Sequence, residues 1–408
     1  MKKNIESGTN IRIQSWRNRK AIVVLHEATT GPGHDLRDYF LKKGINELLF
    51  ITHPLLFLKE TSKNSSRYEY YKKGRKVITH YAYHWVLPEF LLYIKDFFYT
   101  IVWSTTMGHE FNLYVGVGNL NAFVGCILKR FKLVKNTIYY VIDYVPLRFH
   151  NKFINSIYHR IEKVAAEQSN WTWNLSPRMI EGRSKKWHKN FSNQLIVPHG
   201  VHIKRIKRVS FDKINKREIL YMGTITQKQG IQLVIEALPN IVSSITNVKY
   251  IIIGKGPYLS ELKKRVKQLK LGKYVEFVGY IPDHSIMEDR ISRAAVAVAL
   301  YDKKADINDF TYYADPGKIK NYLGAGVPVI MTAIPYVASE VEKKKCGFII
   351  LYDKNKLSKL LVSFLTNEIK MKKYRFNALR FAKKFDWDTI FTNALNGQTF
   401  TEKYEKDN

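Results

Sequence analysis

Residues 218–238 read EILYMGTITQKQGIQLVIEAL. A β-rich apolar run ends at Gly223, a short polar loop follows, and after Gly230 apolar residues return at helical spacing. Strand, glycine loop and helix in that order open a βαβ unit, the building block of a parallel sheet wrapped by helices. The same alternation continues through VKYIIIG (248–254), VEFVGY (275–280), AVAVALY (295–301), VPVIMT (327–332) and GFIILY (347–352). These runs predict the strands of one doubly wound domain.

A separate set precedes them: AIVVLH (21–26), LLFITH (48–53), VITHYAY (77–83), LYVGVG (113–118), TIYYVID (137–143) and LIVPHG (195–200), with helical stretches such as DLRDYFLKKG and NAFVGCILKRF between. The charged stretch 201–216, VHIKRIKRVSFDKINK, reads as a linker where the pattern restarts. The expected architecture is α/β, with two Rossmann-like doubly wound domains facing each other across a central cleft. The expected boundaries are 1–203, 204–384 and a C-terminal helix, 385–408, which crosses back to the first domain as the end of a long last helix that begins in KYRFNALRFAKKFDWDTIFTNAL (373–395). A chain of 408 residues exceeds what one core usually organises, which fits two domains.

With 45% hydrophobic and 13% aromatic residues the chain can bury real cores. It carries 67 Lys and Arg against 35 Asp and Glu, a formal charge of +32, which favours anionic surfaces such as phospholipid head groups or phosphorylated substrates. Cys126 and Cys346 lie apart in apolar surroundings and read as buried thiols in a reducing compartment. The basic opening lacks the apolar core of a secretory signal. Residues 86–103, VLPEFLLYIKDFFYTIVW, are interrupted by Glu89, Lys95 and Asp96, so they read as a packed helix or an interfacial one rather than a membrane span.

Four loops are placed to carry chemistry. Gly31 and Gly33 stand between the first strand and first helix, where glycine lets backbone approach an anion or simply makes the turn; His34 beside them is a possible substrate contact. Gly223, Thr224 and Lys228 open the second, where a lysine near helix amides suits a diphosphate. Gly254-Lys255-Gly256 resembles half a dinucleotide fingerprint, but the third glycine and the acidic residue on the next strand are missing, which argues against a nicotinamide or flavin enzyme. In YYADPGKIKNYLGAGVPVI (312–330), Asp315 reads as a capping acid with Pro316 in the first turn of a helix, and Gly326 as its stop.

The ordered series YMGTITQKQGIQLVIEAL, VKYIIIGKGPYLSELKK, VEFVGYIPDHSIMED, DPGKIKNYLGAGVPVI and FDWDTIFTNAL resembles the donor domain of the retaining glycosyltransferases of family four, which have the GT-B fold. The junction IVPHGV is similar to the P-N-G-V signature between that family's domains, and the resemblance runs from Ile22 to Leu395. It implies transfer of a sugar from a nucleotide-diphosphate donor to a hydroxyl with retention, with no cofactor and no metal, the departing diphosphate being stabilised by cations and helix dipoles.

The family's arginine and lysine after the glycine correspond here to Thr224 and Gln229, and its two glutamates to Tyr313 and Asn321. These departures imply a branch in which Lys228 and Lys318 supply the positive charge. Gly31, Gly33, Gly223, Thr224, Gly254, Asp315, Pro316, Gly317 and Asn321 would complete the donor site. Asp143 takes the place of a first-domain histidine, either binding the acceptor and stabilising charge at the anomeric carbon or capping a helix. His34 and Asn119 are the other acceptor candidates.

The implied setting is the cytoplasmic, inner face of a membrane, with peripheral contact to anionic lipid. The acceptor would be a glycan or lipid-linked one, in cell-surface polysaccharide, lipopolysaccharide or glycolipid synthesis. Two other readings keep the fold: a nucleotide-sugar epimerase, and a non-catalytic partner of an active transferase. No zinc module, recognition helix or concentrated basic stripe points to nucleic acid.

Overall fold

The computed structural model describes residues 16–26, 30–55, 65–108, 110–302 and 310–400. The basic opening before Trp16, the start of the first glycine loop and the last eight residues lie outside the described residues. The chain divides into two compact units, His199–Asp386 and the remainder, in which the segment from Trp387 joins the chain up to Pro198.

The first unit holds an eight-stranded sheet: β1 (Lys20–His26), β2 (Glu47–His53), β3 (Arg67–Lys72), β4 (Arg75–Tyr81), β5 (Phe111–Val117), β6 (Val134–Val141), β7 (Trp171–Asn174) and β8 (Gln194–Ile196). Their order is β4-β3-β2-β1-β5-β6-β7-β8. All neighbours are parallel except β2–β3 and β3–β4. Lys73 and Gly74, at φ 48° and 76°, make the tight turn between β3 and β4, a backbone hand that matches the twist of paired strands. β3 and β7 are additions to the strands expected from sequence.

The second unit holds β9 (Asn215–Met222), β10 (Lys249–Ile253), β11 (Val275–Gly279), β12 (Ala294–Ala299), β13 (Val329–Met331) and β14 (Gly347–Ile349). All six are parallel, in the order β11-β10-β9-β12-β13-β14. These are the six strands that the apolar runs predict. Burial on both faces explains why the runs are continuous rather than alternating: Ile219, Tyr221, Ile252, Val296 and Ile330 share one core with Val234, Leu238 and Leu361 of the covering helices. The strand order reverses between β9 and β12, so the ligand crevice of such a sheet opens beyond their carboxyl ends.

Two expectations are corrected. Residues 201–216 are not a free linker: Val201 N–H donates to the Phe385 carbonyl (2.8 Å) and Ile206 and Ile214 are buried, so the segment is built into the second unit. The long last helix is two helices, Glu368–Ala382 and Trp387–Leu395, interrupted by a short 3-10 turn and an extended Asp386. In the second of them Phe391 stacks on Trp173 and meets Tyr39 edge-on, and the Thr392 hydroxyl lies 3.0 Å from that of Tyr39, all within the first unit.

After β10 the backbone at Gly254 takes φ 139°, and a Cβ there would lie 1.9 Å from the Gly223 carbonyl oxygen. Gly254→Ala should therefore push apart the two loops that border the crevice. We expect a loss of about 2 kcal/mol or more, with a fall in nucleotide affinity, checked by urea unfolding and nucleotide titration.

Candidate functional site

At the crevice of the second unit, three segments converge on Lys318. Its helix, Gly317–Gly324, begins after Pro316, and its ammonium group reaches back to the end of β9. There Nζ donates to Gln229 Oε1 and to the Tyr221 hydroxyl (3.3 Å), and a Cβ on Gly223 would lie 3.3 Å from it. The Tyr221 ring centroid is 4.6 Å away and that of Tyr301, just past β12, is 5.3 Å away. Aromatic faces attract the cation, but no carboxylate among the described residues neutralises it. Burial lowers its pKa from 10.5 to about 7. A caged, uncompensated lysine at a sheet's switch point is a ready site for an anion.

Gln229 and Lys318 thus answer the oddity at the loop after Gly223. Where the resemblance implies a lysine, this chain has a glutamine, and it holds a lysine brought from another helix. Thr224 is exposed and its carbonyl accepts from the Tyr221 hydroxyl (2.7 Å). Lys228 is exposed one residue before Gln229, with its carbonyl accepting from Asp302 N–H (3.2 Å). Asn321 is half-buried one turn along the helix from Lys318, and Tyr313 is buried. Pro316 caps the helix through its backbone, and a Cβ on Gly317 would lie 2.5 Å from the His199 ring, so the glycine serves close packing there.

Asp315 is corrected as a capping acid: its side chain belongs to the framework. Its carboxylate is buried, accepts from Lys320 Nζ on one oxygen and from His199 N–H (2.8 Å) on the other. No side chain caps the helix. The acid before the proline is drawn inward because Lys320, itself buried, needs a counter-charge.

In the first unit, three expectations change. Gly33 is buried, and a Cβ on it would lie 2.8 Å from Leu25, so it lets the first helix close on β1 rather than approach a ligand. His34 is turned inward, edge-on to Phe50 at 5.2 Å, with its Nε2 buried and unpaired; burial lowers its pKa to about 4 and keeps it neutral. Asn119 is buried, donates to the Tyr158 carbonyl (3.1 Å) and accepts from Leu120 N–H (2.8 Å), which engages both ends of its amide at a helix start. Gly31, at φ 128°, remains at the N-terminus of the helix Pro32–Lys42. Asp143 follows β6 and reaches solvent; surrounding protein raises its carboxyl pKa, with the charge of Arg148 opposing. It caps no helix, that position being held by Asn151 for the next one.

A polar cluster escaped the sequence reading. β1 and β2 both end in histidine, and Asp96 of the helix Glu89–Thr106 lies between them, 3.2 Å from His26 Nε2 and 3.1 Å from His53 Nδ1. Asn121 Nδ2 donates to His26 Nδ1 (3.0 Å), so the His26 proton sits on Nε2 and points at Asp96. Lys95 Nζ lies 2.8 Å from Asp96, and Ser66 donates to it (2.9 Å). Burial alone would raise the Asp96 carboxyl, but the imidazoles hold it well below the usual carboxylate range. Two strands ending in His at the ligand-binding end were the available signal. Among the described residues no group of three or more His, Cys, Asp or Glu is placed to hold a metal ion.

Residues 203–381 match the family model described as glycosyl transferases group 1. The chain is 24% identical over 233 residues to the alpha-monoglucosyldiacylglycerol synthase of Streptococcus pneumoniae, a match covering 52% of this chain and 50% of that relative. The chain therefore spans about half the length of this curated relative. Among solved structures, the sucrose-phosphate synthase of Thermosynechococcus elongatus superposes with a TM-score of 0.67 at 16% identity, covering 92% of this chain and 97% of that one. HepE of Anabaena, in complex with UDP, superposes with a TM-score of 0.63 at 13% identity, covering 92% and 98%. The architecture is that of the GT-B fold. Its segment 203–381, most of the second unit, is thus similar to the glycosyl transferases group 1 family.

Proposed function

We propose that the protein transfers a sugar from a nucleoside-diphosphate donor to a hydroxyl of a glycan or lipid-linked acceptor, with retention at the anomeric carbon and without a metal. The observation that carries this reading is the Lys318 ammonium group, held beside Gly223 at the β9–β12 switch point with no carboxylate among the described residues to neutralise it. A diphosphate bound there gains a cation already partly stripped of water, and the charge that builds on the leaving group during transfer is what such a cation stabilises most. Lys228 is the second cation of the proposed clamp, and Asn321 the neutral contact to the ribose. Asp143 is the proposed partner of the acceptor hydroxyl or of the positive charge at the anomeric carbon.

The relative's name, alpha-monoglucosyldiacylglycerol synthase, and the UDP in the HepE structure guide the choice of substrates. A lipid acceptor also agrees with the net charge of +32 and with work at the inner, cytoplasmic face of a membrane.

The test is a thermal-shift series with UDP, GDP, CDP and their sugars, followed by product analysis with diacylglycerol and glucosyl-diacylglycerol as acceptors. One nucleotide should raise the melting temperature, and NMR of the product should show the donor's anomeric configuration. No stabilisation by any nucleotide would overturn the reading. Conversion of donor without acceptor would replace it by epimerisation, and binding without turnover by a non-catalytic role.

A further inference from the structure

The helix Glu89–Thr106 in the first unit is inverted. The side it buries carries Asp96, Thr100 and Ser104 together with Leu92 and Trp103. The opposite side carries Phe90, Ile94, Phe98 and Val102, which are 56%, 48%, 58% and 50% exposed. Four-residue spacing over twelve residues lines these up as one stripe. Its angular position, at 100° per residue, is directly opposite Asp96. A surface helix in water puts its apolar stripe inward and its polar face out. Here Asp96 and Thr100 are engaged by His26, His53 and Ser66, while the buried Ser104 hydroxyl has no hydrogen-bond partner among the described residues, so the inversion is built around Asp96 rather than being a packing fault.

The surroundings have the composition of a lipid-facing rim. Trp85 and Tyr83, both exposed, precede the helix, and the Trp85 indole donates to the Tyr99 hydroxyl (3.1 Å). Such rings favour the head-group level of a bilayer. The β3–β4 hairpin lies against the same helix, with Tyr68 and His80 on Trp103, and its turn exposes Lys72, Lys73, Arg75 and Lys76. On the other side the charge of Arg148 acts on Tyr93 of the helix, and Phe153 and Ile157 are exposed beside Lys152 and Arg160. Apolar stripe, aromatic margin and basic flanks together complement a bilayer that is apolar within and anionic at its surface. Among the described residues no helix is long and apolar enough to cross a membrane, so the contact is with the surface.

We propose that the Glu89–Thr106 helix is the membrane-docking face of this protein and that its partner is a bilayer rich in anionic phospholipid. This names the surface for the lipid-side work proposed above and rests on that reading only for the identity of the acceptor. Asp96, midway along the helix, meets His26 and His53 at the carboxyl ends of β1 and β2, so a lipid head group lifted from the bilayer arrives near the ligand-binding edge of the first sheet.

The test is flotation of the full chain with vesicles of phosphatidylcholine alone and of phosphatidylcholine mixed with phosphatidylglycerol, at low and high salt. Wild type should float with the anionic vesicles, and raised salt should weaken this without abolishing it. I94E/F98E should reduce binding about tenfold or more, whereas I94L/F98L should not. Replacing the four basic residues of the hairpin turn by glutamine should lower binding to anionic vesicles only.

Sedimentation of the same proteins reads the oligomeric state, and thermal shift with UDP reads the second unit. Equal flotation of wild type and I94E/F98E would overturn the proposal. So would a wild-type dimer that I94E/F98E dissociates without any vesicle binding by either, which would make a second copy the occupant. Failure of UDP to bind would strike the transferase reading and leave the vesicle result standing.

Discussion

Lys318→Ala should abolish useful donor binding while the protein stays folded. A diphosphate in the crevice of the second unit would lose the ammonium group caged by Tyr221, Tyr301 and Gln229. Removing one partner of a desolvated ionic contact costs about 3 kcal/mol, or about 100-fold in affinity. Calorimetric titration with UDP or the nucleotide found to bind should show that loss, and turnover should fall at least as far, since transition-state charge is greater. An affinity within about threefold of wild type would remove Lys318 from the donor site.

The same lysine gives two dependences on pH. Because burial lowers it to about 7, half of the molecules carry no charge there at neutral pH before ligand arrives, and binding an anion must draw in a proton. Nucleotide affinity should therefore fall about tenfold per pH unit from about pH 7 to pH 9 and lose that slope in Lys318→Met. Stability moves the other way. The unfolded lysine holds its proton up to 10.5 while the folded one releases it near 7, so folding is opposed most fully below pH 7 and less as pH rises toward 10.5. Lys318→Met should melt higher than wild type, by more at about pH 6 than at about pH 9.5, with a gain on the order of a few kcal/mol at the lower pH. A residue that stabilises when removed and disables when removed is kept for its function.

How far this was legible in the chain depends on the kind of contact. The strands of the second unit announce themselves because both faces are covered, leaving runs such as VKYIIIG with no polar alternation. β3 and β7 do not: RYEYYK is charged and WTWN is four residues long, and only pairing with β2 and β6 fixes them as strands. Lys318 could be singled out as a cation at a helix start, but its cage comes from Tyr221, Gln229 and Tyr301, which no local pattern brings together. Asp96 illustrates the opposite error. In sequence it counted only as a charge that interrupts an apolar helix; in the fold it is the reason that helix sits with its polar side inward. Asp315 was misplaced because an acid before Pro-Gly satisfies the local rule for a cap, and the buried Lys320 that overrules it is visible only in three dimensions.

Asp315→Ala separates framework from site. The substitution strands Lys320, whose side chain is 1% exposed, and also removes the acceptor for His199 N–H at the start of the second unit. Breaking a buried ion pair from one side costs about 3–5 kcal/mol, which for a unit of this size corresponds to about 10 °C in melting temperature. Replacing both partners, as Asp315→Asn with Lys320→Met, leaves no buried charge and should recover most of that loss. If the role is structural, the folded fraction of Asp315→Ala at low temperature binds nucleotide with nearly the wild-type affinity, and the double variant does so at all temperatures below its own melting point. If Asp315 instead touched the sugar or the phosphates, the double variant would be stable and still fail to bind. Lys320 and Lys318 stand two residues apart on one short helix: among the described residues Lys320 has a carboxylate and Lys318 has none, and it is Lys318 that has a place for a ligand's charge.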